Sequence, residues 1–175
     1  TGIFMKKNVI KQCAFAILLC LLLMTFTGAK RAQSCKKRLL PLTSIHIVDR
    51  NGFSETISNK ERLCQFQNVN FLSSQPYQKV LRSYARDSMG NLRSVVTTYH
   101  ENGNPKQFLE ILNARANGSY YEWHENGNMS VMARVIGGTP DVTKMAEKTW
   151  LFDGPSYAWD EEEHMIAEIN YSQGS

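Results

Sequence analysis

A five-residue string occurs twice in this chain, and it constrains the fold more than any other feature. The copies, His100–Asn104 and His124–Asn128, both read His-Glu-Asn-Gly-Asn and lie 24 residues apart. Self-similarity at a period of about 20–50 residues is typical of repeat proteins, because one short unit cannot bury its apolar face and must pack on a neighbour. The sequence therefore predicts a repeat array that acts through a surface rather than a cleft.

The Asn-Gly pair inside each copy predicts the local structure of the unit. Asn-Gly tolerates positive φ at both central positions of a type I′ turn, whose geometry matches the twist of two antiparallel strands. Each copy is therefore predicted to be a hairpin tip of this turn type. The predicted turn residues are Asn102, Gly103, Asn126 and Gly127.

The alternation of apolar and polar residues predicts strands throughout the second half of the chain. The predicted strands are 77–84, 92–99, 106–112, 119–124, 129–136, 149–152 and 165–171. Helical patterns are scarce, so the expected fold is all-β: an elongated antiparallel sheet of tandem β-hairpin repeats.

A third, degenerate copy follows the two clear ones. Residues 154–165 match residues 118–129 in Gly, Tyr, Trp and Met at a spacing of 36, with acidic residues in place of Asn-Gly. The 12 additional residues relative to the first period fall around Gly137–Pro140, a segment whose composition predicts a loop inserted between units.

These blocks, of the form Gly-x-x-aromatic-x-aromatic-x-Glu-Asn-Gly, resemble the MORN-repeat variant of bacterial proteins often labelled YwqK-family antitoxins. The resemblance covers residues 90–171. It implies that aromatic rings stack between successive hairpins and that glycines form the turns. By position it assigns stacking to Tyr99, Tyr121, Trp123, Tyr157 and Trp159, and turns to Gly103, Gly118, Gly127 and Gly154.

The residues before the repeats divide into two further regions. Residues 35–76 do not match the repeat, although the sequence around Asn51-Gly52 predicts one more hairpin, so this region is assigned as an N-terminal cap. Residues 77–175 form the predicted repeat domain. The chain reaches residue 175 where another repeat would be expected to begin, so we expect the natural protein to continue.

The first 34 residues are predicted to be a signal peptide, with residues 1–4 read as a mis-assigned start. Basic residues at 6, 7 and 11 precede an apolar run from Cys13 to Phe26 and then small residues. An uncleaved membrane anchor is the alternative. Cys13 to Ala29 is 17 residues, the lower limit for a span.

The segment before Cys35 is similar to the end of a bacterial lipoprotein signal, which implies acylation of Cys35. Ordinary cleavage after Ala29 or Ser34 is the alternative. If Cys35 carries lipid, Cys64 is a lone thiol of the kind usually buried as a small apolar residue. If Cys35 is free, it could pair with Cys64 in an oxidising compartment.

Charge and motif content exclude several classes of function. Five of the 20 basic residues precede residue 35 and all 16 acidic residues follow it, so the mature chain carries 15 against 16 and a net charge of −1. A basic nucleic-acid footprint is therefore absent. Nucleophile, phosphate-binding and zinc motifs are also missing, and the two His-Glu pairs are not expected to bind metal because neighbours on a strand point to opposite faces. No enzyme activity, cofactor or metal is predicted.

The resulting expectation is an exported, lipid-anchored scaffold in the envelope of a Gram-negative cell, in the periplasm or at the outer membrane, that binds a protein or envelope partner. Two alternatives remain. The resemblance implies an antitoxin-like protein that masks a toxin, and the repeats could instead be the docking part of a longer protein.

Overall fold

A computed structural model of the chain describes residues 40–174, which belong to one compact unit. The predicted signal peptide, the start at residues 1–4 and Cys35 lie outside the described residues. The strands are β1 Leu42–Asp49, β2 Ser54–Ile57, β3 Gln78–Arg86, β4 Leu92–Tyr99, β5 Pro105–Leu112, β6 Arg115–Trp123, β7 Met129–Gly137, β8 Leu151–Phe152, β9 Gly154–Trp159 and β10 Met165–Tyr171. Two short helices are present in the described chain, α1 Lys60–Phe66 and α2 Lys144–Glu147.

The strands form one antiparallel sheet in the order β10-β9-β7-β6-β5-β4-β3-β1-β2, with the short β8 paired to β7. This confirms the all-β class and the tandem arrangement of hairpins. The β1–β2 hairpin of the predicted cap joins the same sheet, because β1 pairs with β3. Strand β9 is absent from the strands predicted by alternation, since its sequence Gly-Pro-Ser-Tyr-Ala-Trp begins with two residues that are unfavourable in strands.

One face of the sheet, here called the insertion face, carries the larger apolar core. Cross-strand pairing sets Val96, Leu109, Tyr120 and Ala133 side by side on four consecutive strands. Trp150 packs on them from the segment between β7 and β8 and is 6% exposed. Burial of these side chains at roughly 25 cal/mol per Å² of apolar surface stabilises the central strands.

The segment between β7 and β8 is the predicted loop insertion, which the structure confirms. It contains α2, whose N-cap Thr143 accepts a hydrogen bond from the Ala146 amide. The indole Nε1 of Trp150 donates to the Thr139 carbonyl at 2.9 Å, which satisfies its buried polar atom. Arg82 on β3 forms an ion pair with Asp141 at 3.0 Å, so the insertion also reaches across the sheet.

The opposite face, here called the aromatic face, has a smaller core at its N-terminal end. Helix α1 is capped by Asn59, whose Oδ1 accepts from two backbone amides. Its residue Leu63 packs on Ile45, Leu81 and Tyr99, which are all buried. Helix α1 therefore covers the face over the first strands.

The hairpin tips occur where the sequence predicts them, but their turn type differs from the prediction. In each copy the amide of residue four donates to the carbonyl of residue one, Gly103 to His100 at 2.9 Å and Gly127 to His124 at 3.0 Å. Only the glycine has positive φ, +92° and +95° respectively. The tips are three-residue loops, a type I turn followed by a left-handed glycine, because an additional residue separates the paired strand ends.

A two-residue turn with positive φ at both central positions does occur, at a place without Asn-Gly. Asn113 and Ala114 have φ of 48° and 60° and join β5 to β6 between the paired residues Leu112 and Arg115. The Asn113 side chain accepts from the Leu92 amide at 2.9 Å, which holds the turn against the neighbouring strand.

The predicted turn role of Gly118 is wrong. Gly118 lies inside β6 with φ +133°, beside the irregularity at Glu110 on β5. A Cβ at this position would approach Glu110 Cβ to 2.6 Å, so the glycine permits close approach of two strands. Gly154 is the first residue of β9, with φ +79° and open space around its Cβ position.

Candidate binding surface

Four hairpin tips lie along one edge of the sheet because the strands alternate in direction. They are Asp49–Phe53, His100–Asn104, His124–Asn128 and Asp160–His164. All four share the same backbone hydrogen bonds, between residues one and five and between residues four and one. The third tip of the repeat therefore keeps the turn geometry although its sequence is acidic.

The first of the two side-chain ladders between these tips is formed by histidines. His100 Nε2 donates to the Trp123 carbonyl oxygen at 2.8 Å, and His124 Nε2 donates to the Trp159 carbonyl oxygen at 2.9 Å. Each acceptor is the last strand residue before the next tip. The bonds therefore fix both the tautomer of each imidazole and the position of one hairpin on the next.

The second ladder is formed by asparagines. Asn102 and Asn104 both donate through Nδ2 to the Glu125 carbonyl, at 2.7 and 3.0 Å. One repeat later, Asn126 and Asn128 donate to the Glu161 carbonyl at 2.9 and 2.8 Å. The string His-Glu-Asn-Gly-Asn thus supplies three donors to the following hairpin, which explains why its histidine and two asparagines recur.

The two ladder histidines, His100 and His124, are not on adjacent strands. The hairpins lie side by side in one sheet, so equivalent residues are two strands apart, about 10 Å at the usual strand spacing. Neither histidine approaches the other closely enough to share an ion.

Within residues 40–174, one group of side chains has the spacing of a metal site: Asp160, Glu162 and His164 offer ligand atoms within 4.8 Å of one another. Asp160 Oδ1 already accepts the Glu162 and His164 amides at 3.0 and 2.8 Å. Desolvation acts to raise the pKa of Asp160, but the hydrogen bonds from the His164 amide and imidazole and from the Glu162 amide outweigh it and hold this pKa below its ordinary value. The group is best explained as the Asp-stabilised turn that Asp49 and Asp87 also form.

The aromatic residues assigned by the resemblance all lie on the aromatic face. Tyr99, Trp123 and Trp159 are equivalent, each directly preceding a tip, and Tyr121 and Tyr157 are equivalent to each other, three residues before a tip. Contacting rings lie along the strands and between neighbouring strands, with centroids 5.9 Å apart for Tyr121–Trp123, 5.9 Å for Tyr157–Trp159 and 5.6 Å for Phe108–Tyr121.

The first repeat shows this face in a covered state. Tyr99 is 5% exposed, and its hydroxyl donates to the Phe71 carbonyl at 2.8 Å, while burial raises the pKa of the phenol. The position equivalent to Tyr121 is Thr97, which is fully buried. A smaller side chain at this position leaves room for the chain that lies over the first repeat.

In the second and third repeats the rings on the aromatic face are partly exposed to solvent. The aromatic row is defined as Phe108, Tyr121, Trp123, Tyr157 and Trp159, with Met132 between the two tyrosines. All six side chains are partly exposed. Neither helix in residues 40–174 covers them, because α1 packs on β1 and α2 lies on the insertion face. Sequence reasoning missed Phe108 and Met132, whose placement follows from the strand register.

Two other features bear on the sequence-based expectations. Cys64 is exposed on α1, in contrast to the buried position expected for a lone thiol. None of the helices in residues 40–174 has the length and apolar character required to cross a bilayer.

Comparison of the chain with protein-family models, curated proteins and solved structures gives no significant match. The described architecture is an all-antiparallel sheet of hairpins that is compatible with a β-repeat fold.

Proposed function

We propose that this chain is an exported binding scaffold that attaches to a partner in the cell envelope through the aromatic row. The supporting observation is the contrast between repeats: Tyr99 is covered, whereas the equivalent Trp123 and Trp159 are partly exposed beside Tyr121 and Tyr157. Trp and Tyr carry much of the binding energy in protein interfaces, and contiguous exposed apolar surface typically marks an interaction site.

The two ladders support this proposal because a binding surface gains affinity from being rigid before the partner arrives. His100 and Asn102 each tie one hairpin to the next through the backbone. The insertion closes the opposite face with Trp150 and leaves the aromatic face to bind. The proposal includes membership of the MORN-repeat variant, since four of the five aromatic positions assigned by the resemblance belong to the row.

The location in the envelope rests on the sequence of the first 35 residues. We expect a fatty acid on Cys35, so that labelling of cells with a radioactive fatty acid marks the wild-type chain and the label is lost in Cys35→Ser. A chain that remains unlabelled in both forms would contradict the anchor without affecting the surface.

The surface is tested with full-length Cys35→Ser chains, in which a lipid cannot cause sedimentation. Purified protein is incubated with isolated envelope fragments, and the bound fraction is measured after centrifugation. The test variant carries Trp123→Ala and Trp159→Ala. The control carries Phe53→Ala and Tyr77→Ala, two aromatic residues that are 81% and 78% exposed outside the row.

We expect the test variant to bind at least about 30-fold more weakly, because the loss of a single interface residue worth about 2 kcal/mol already produces that factor, and the control to bind like the parent chain. Equal binding of both variants would overturn the proposal. Circular dichroism establishes that each variant is folded.

A further inference from the structure

A double bulge between β7 and β9 interrupts the aromatic face beside the row. Strand β7 pairs with β8 at Val135↔Phe152 and with β9 at Met132↔Tyr157. Two residues of β7 therefore lie opposite four residues, Asp153–Ser156, and Gly154 adopts φ +79° to allow it. Bulges re-aim side chains and are common next to functional sites.

The bulge opens a cleft of about 320 Å³ within the row. Met132 lies between the cleft's two tyrosines, because it pairs with both Tyr121 and Tyr157. The tyrosines are thus two strands apart, about 10 Å at the usual spacing, and come from equivalent positions of successive repeats. The side chains that line the cleft include Tyr121, Met132, Arg134, Asp153, Pro155 and Tyr157. This volume is at the lower end of the range for small-ligand sites.

The polar groups at the cleft are suited to a neutral ligand. Arg134 is exposed, and within residues 40–174 neither its guanidinium nor the hydroxyls of Tyr121 and Tyr157 form a hydrogen bond. Asp153 accepts the Gln173 amide through Oδ1 at 3.1 Å, and its carboxylate has the capacity to accept further hydrogen bonds. One cation and one anion give the cleft no net charge, so a strongly acidic or basic ligand would meet a like charge as well as an opposite one.

We propose that this cleft binds one pyranose ring of a neutral polysaccharide. The apolar C–H face of a pyranose packs on a tyrosine ring, and its hydroxyls both donate and accept, which matches Arg134, Asp153 and the two phenols. This inference rests on the proposed function, since it names the chemistry of the envelope partner that the aromatic row would bind.

A polymer rather than a single sugar is indicated by the rings next to the cleft. Trp123 follows Tyr121 and Trp159 follows Tyr157 along the strands, with centroids 5.9 Å apart in both pairs. This separation is close to the length of one sugar ring in a β-1,4-linked chain. The ring planes are tilted by 59° in the first pair and 32° in the second, so consecutive sugars would contact consecutive rings only in a chain that twists between them. Binding of a peptide by strand addition is disfavoured because that mode requires a free sheet edge, whereas β7 and β9 are interior strands.

The experiment uses full-length Cys35→Ser protein and two soluble probes, the β-1,4-linked tetrasaccharides of glucose and of N-acetylglucosamine. Binding is measured by titration calorimetry and by tryptophan fluorescence. The variants are Tyr121→Ala and Arg134→Ala, with Tyr77→Ala and Arg86→Ala as controls, since both control residues are exposed and lie away from the cleft. We expect at least one probe to bind, Tyr121→Ala and Arg134→Ala to weaken it tenfold or more, and the controls to leave it unchanged.

Absence of binding to both tetrasaccharides, or binding that Tyr121→Ala does not weaken, would overturn the inference. A second measurement separates this failure from failure of the proposed function. Envelope fragments are treated either with a glycan-cleaving hydrolase or with a protease before the sedimentation assay. Loss of row-dependent binding only after glycan cleavage supports the inference, whereas loss only after proteolysis overturns it and leaves the scaffold in place. Binding that never depends on the row overturns the proposed function itself.

Discussion

His100 and Trp123 are joined by a hydrogen bond from the imidazole Nε2 to the carbonyl oxygen, 2.8 Å long, and the same bond recurs between His124 and Trp159. The imidazole belongs to one hairpin tip. The carbonyl belongs to the last residue of the strand that leads into the next tip. Because a side chain recognises a backbone atom here, the contact does not depend on the identity of the accepting residue. It can therefore be repeated wherever two hairpins meet.

Replacing either ladder histidine by alanine is expected to lower the free energy of unfolding by about 1 kcal/mol, the typical net value of one hydrogen bond. The two effects should be nearly additive, since the residues are two strands apart. Urea denaturation measures them. His164→Ala is the control, because His164 is exposed and its hydrogen bonds within residues 40–174 all lie in its own tip, and a control that destabilises as much as His124→Ala would contradict the role of the ladder.

Asn126→Asp is expected to lose about 1–2 kcal/mol of unfolding free energy. Aspartate keeps the Oδ1 acceptor for the Asn128 amide but replaces the donor that reaches the Glu161 carbonyl with a negative charge. Asn51→Asp is a matched control at the same position of the first tip, where the structure gives the side chain no bond within the described residues, and a loss below about 0.5 kcal/mol is expected there. Equal losses at the two positions would contradict the donor role.

Gly103→Ala is expected to be the most costly change among the tip glycines. Its φ of +92° costs an L residue roughly 1–2 kcal/mol, and the new Cβ would lie 3.0 Å from Pro76 Cα, a backbone atom that cannot move freely. Gly52→Ala would also place an L residue at positive φ, but its new Cβ would lie in open space. Thermal melting should show a larger decrease for Gly103→Ala, and Gly127→Val should also destabilise because its φ is +95°.

Trp150→Ala and Trp123→Ala should separate stability from binding. Trp150 is 6% exposed in the insertion core, and its loss is expected to cost about 3–5 kcal/mol. Trp123 is partly exposed in the aromatic row, so its loss should cost less stability and reduce envelope binding. A Trp123→Ala protein that binds normally but melts as early as Trp150→Ala would show that this ring belongs to the core.

Glu147 predicts a pH dependence of stability. Burial, and then the nearby Glu122 carboxylate, raise the pKa of Glu147 above 4.5, although both carboxylates accept hydrogen bonds from Gln107 at 2.9–3.0 Å. The folded state therefore favours the protonated acid, so this stabilisation is complete below the unfolded pKa and is lost as pH rises through the folded pKa.

Glu147→Gln removes the charge at every pH. We expect it to melt about 2 °C higher than the wild type at pH 7 and to differ little at pH 4, with Glu125→Gln, an exposed tip residue, as the control. A variant that is less stable than the wild type at pH 7 would contradict the assignment. Calorimetry over this pH range provides the measurement.

The sequence predicts the hairpins well because strand alternation and Asn-Gly are local signals. The turn type was harder to predict. Asn113-Ala114 adopts the two-residue turn, whereas Asn102-Gly103 does not, because the loop length depends on which residues pair across the strands. Gly118 illustrates the same limit. A glycine is required at this position because Glu110 on the adjacent strand lies too close for a Cβ, and a local sequence pattern does not reveal such a contact.

The candidate surface was only partly predictable for a similar reason. Repetition identifies Tyr121 and Tyr157 as one pair of equivalent positions and Trp123 and Trp159 as another. Whether a ring is covered depends on segments that are distant in the sequence. Tyr99 is buried by the segment that contains Phe71, and the cleft depends on a bulge at Asp153–Ser156. The insertion loop was recognised by its length, yet the face on which it packs becomes clear only from the cross-strand register.

The two ladders give the array a direction. Each His-Glu-Asn-Gly-Asn tip offers donors toward its C-terminal neighbour and carbonyls toward its N-terminal one, so duplicating a 24-residue unit between His100 and His124 would reproduce every bond without altering the flanking units. The tip Asp160–His164 accepts these bonds through the Glu161 carbonyl but carries Glu162 and His164 where the two amide donors would be. Gene duplication could therefore lengthen the protein from within, and binding area would grow in proportion to the number of inserted modules.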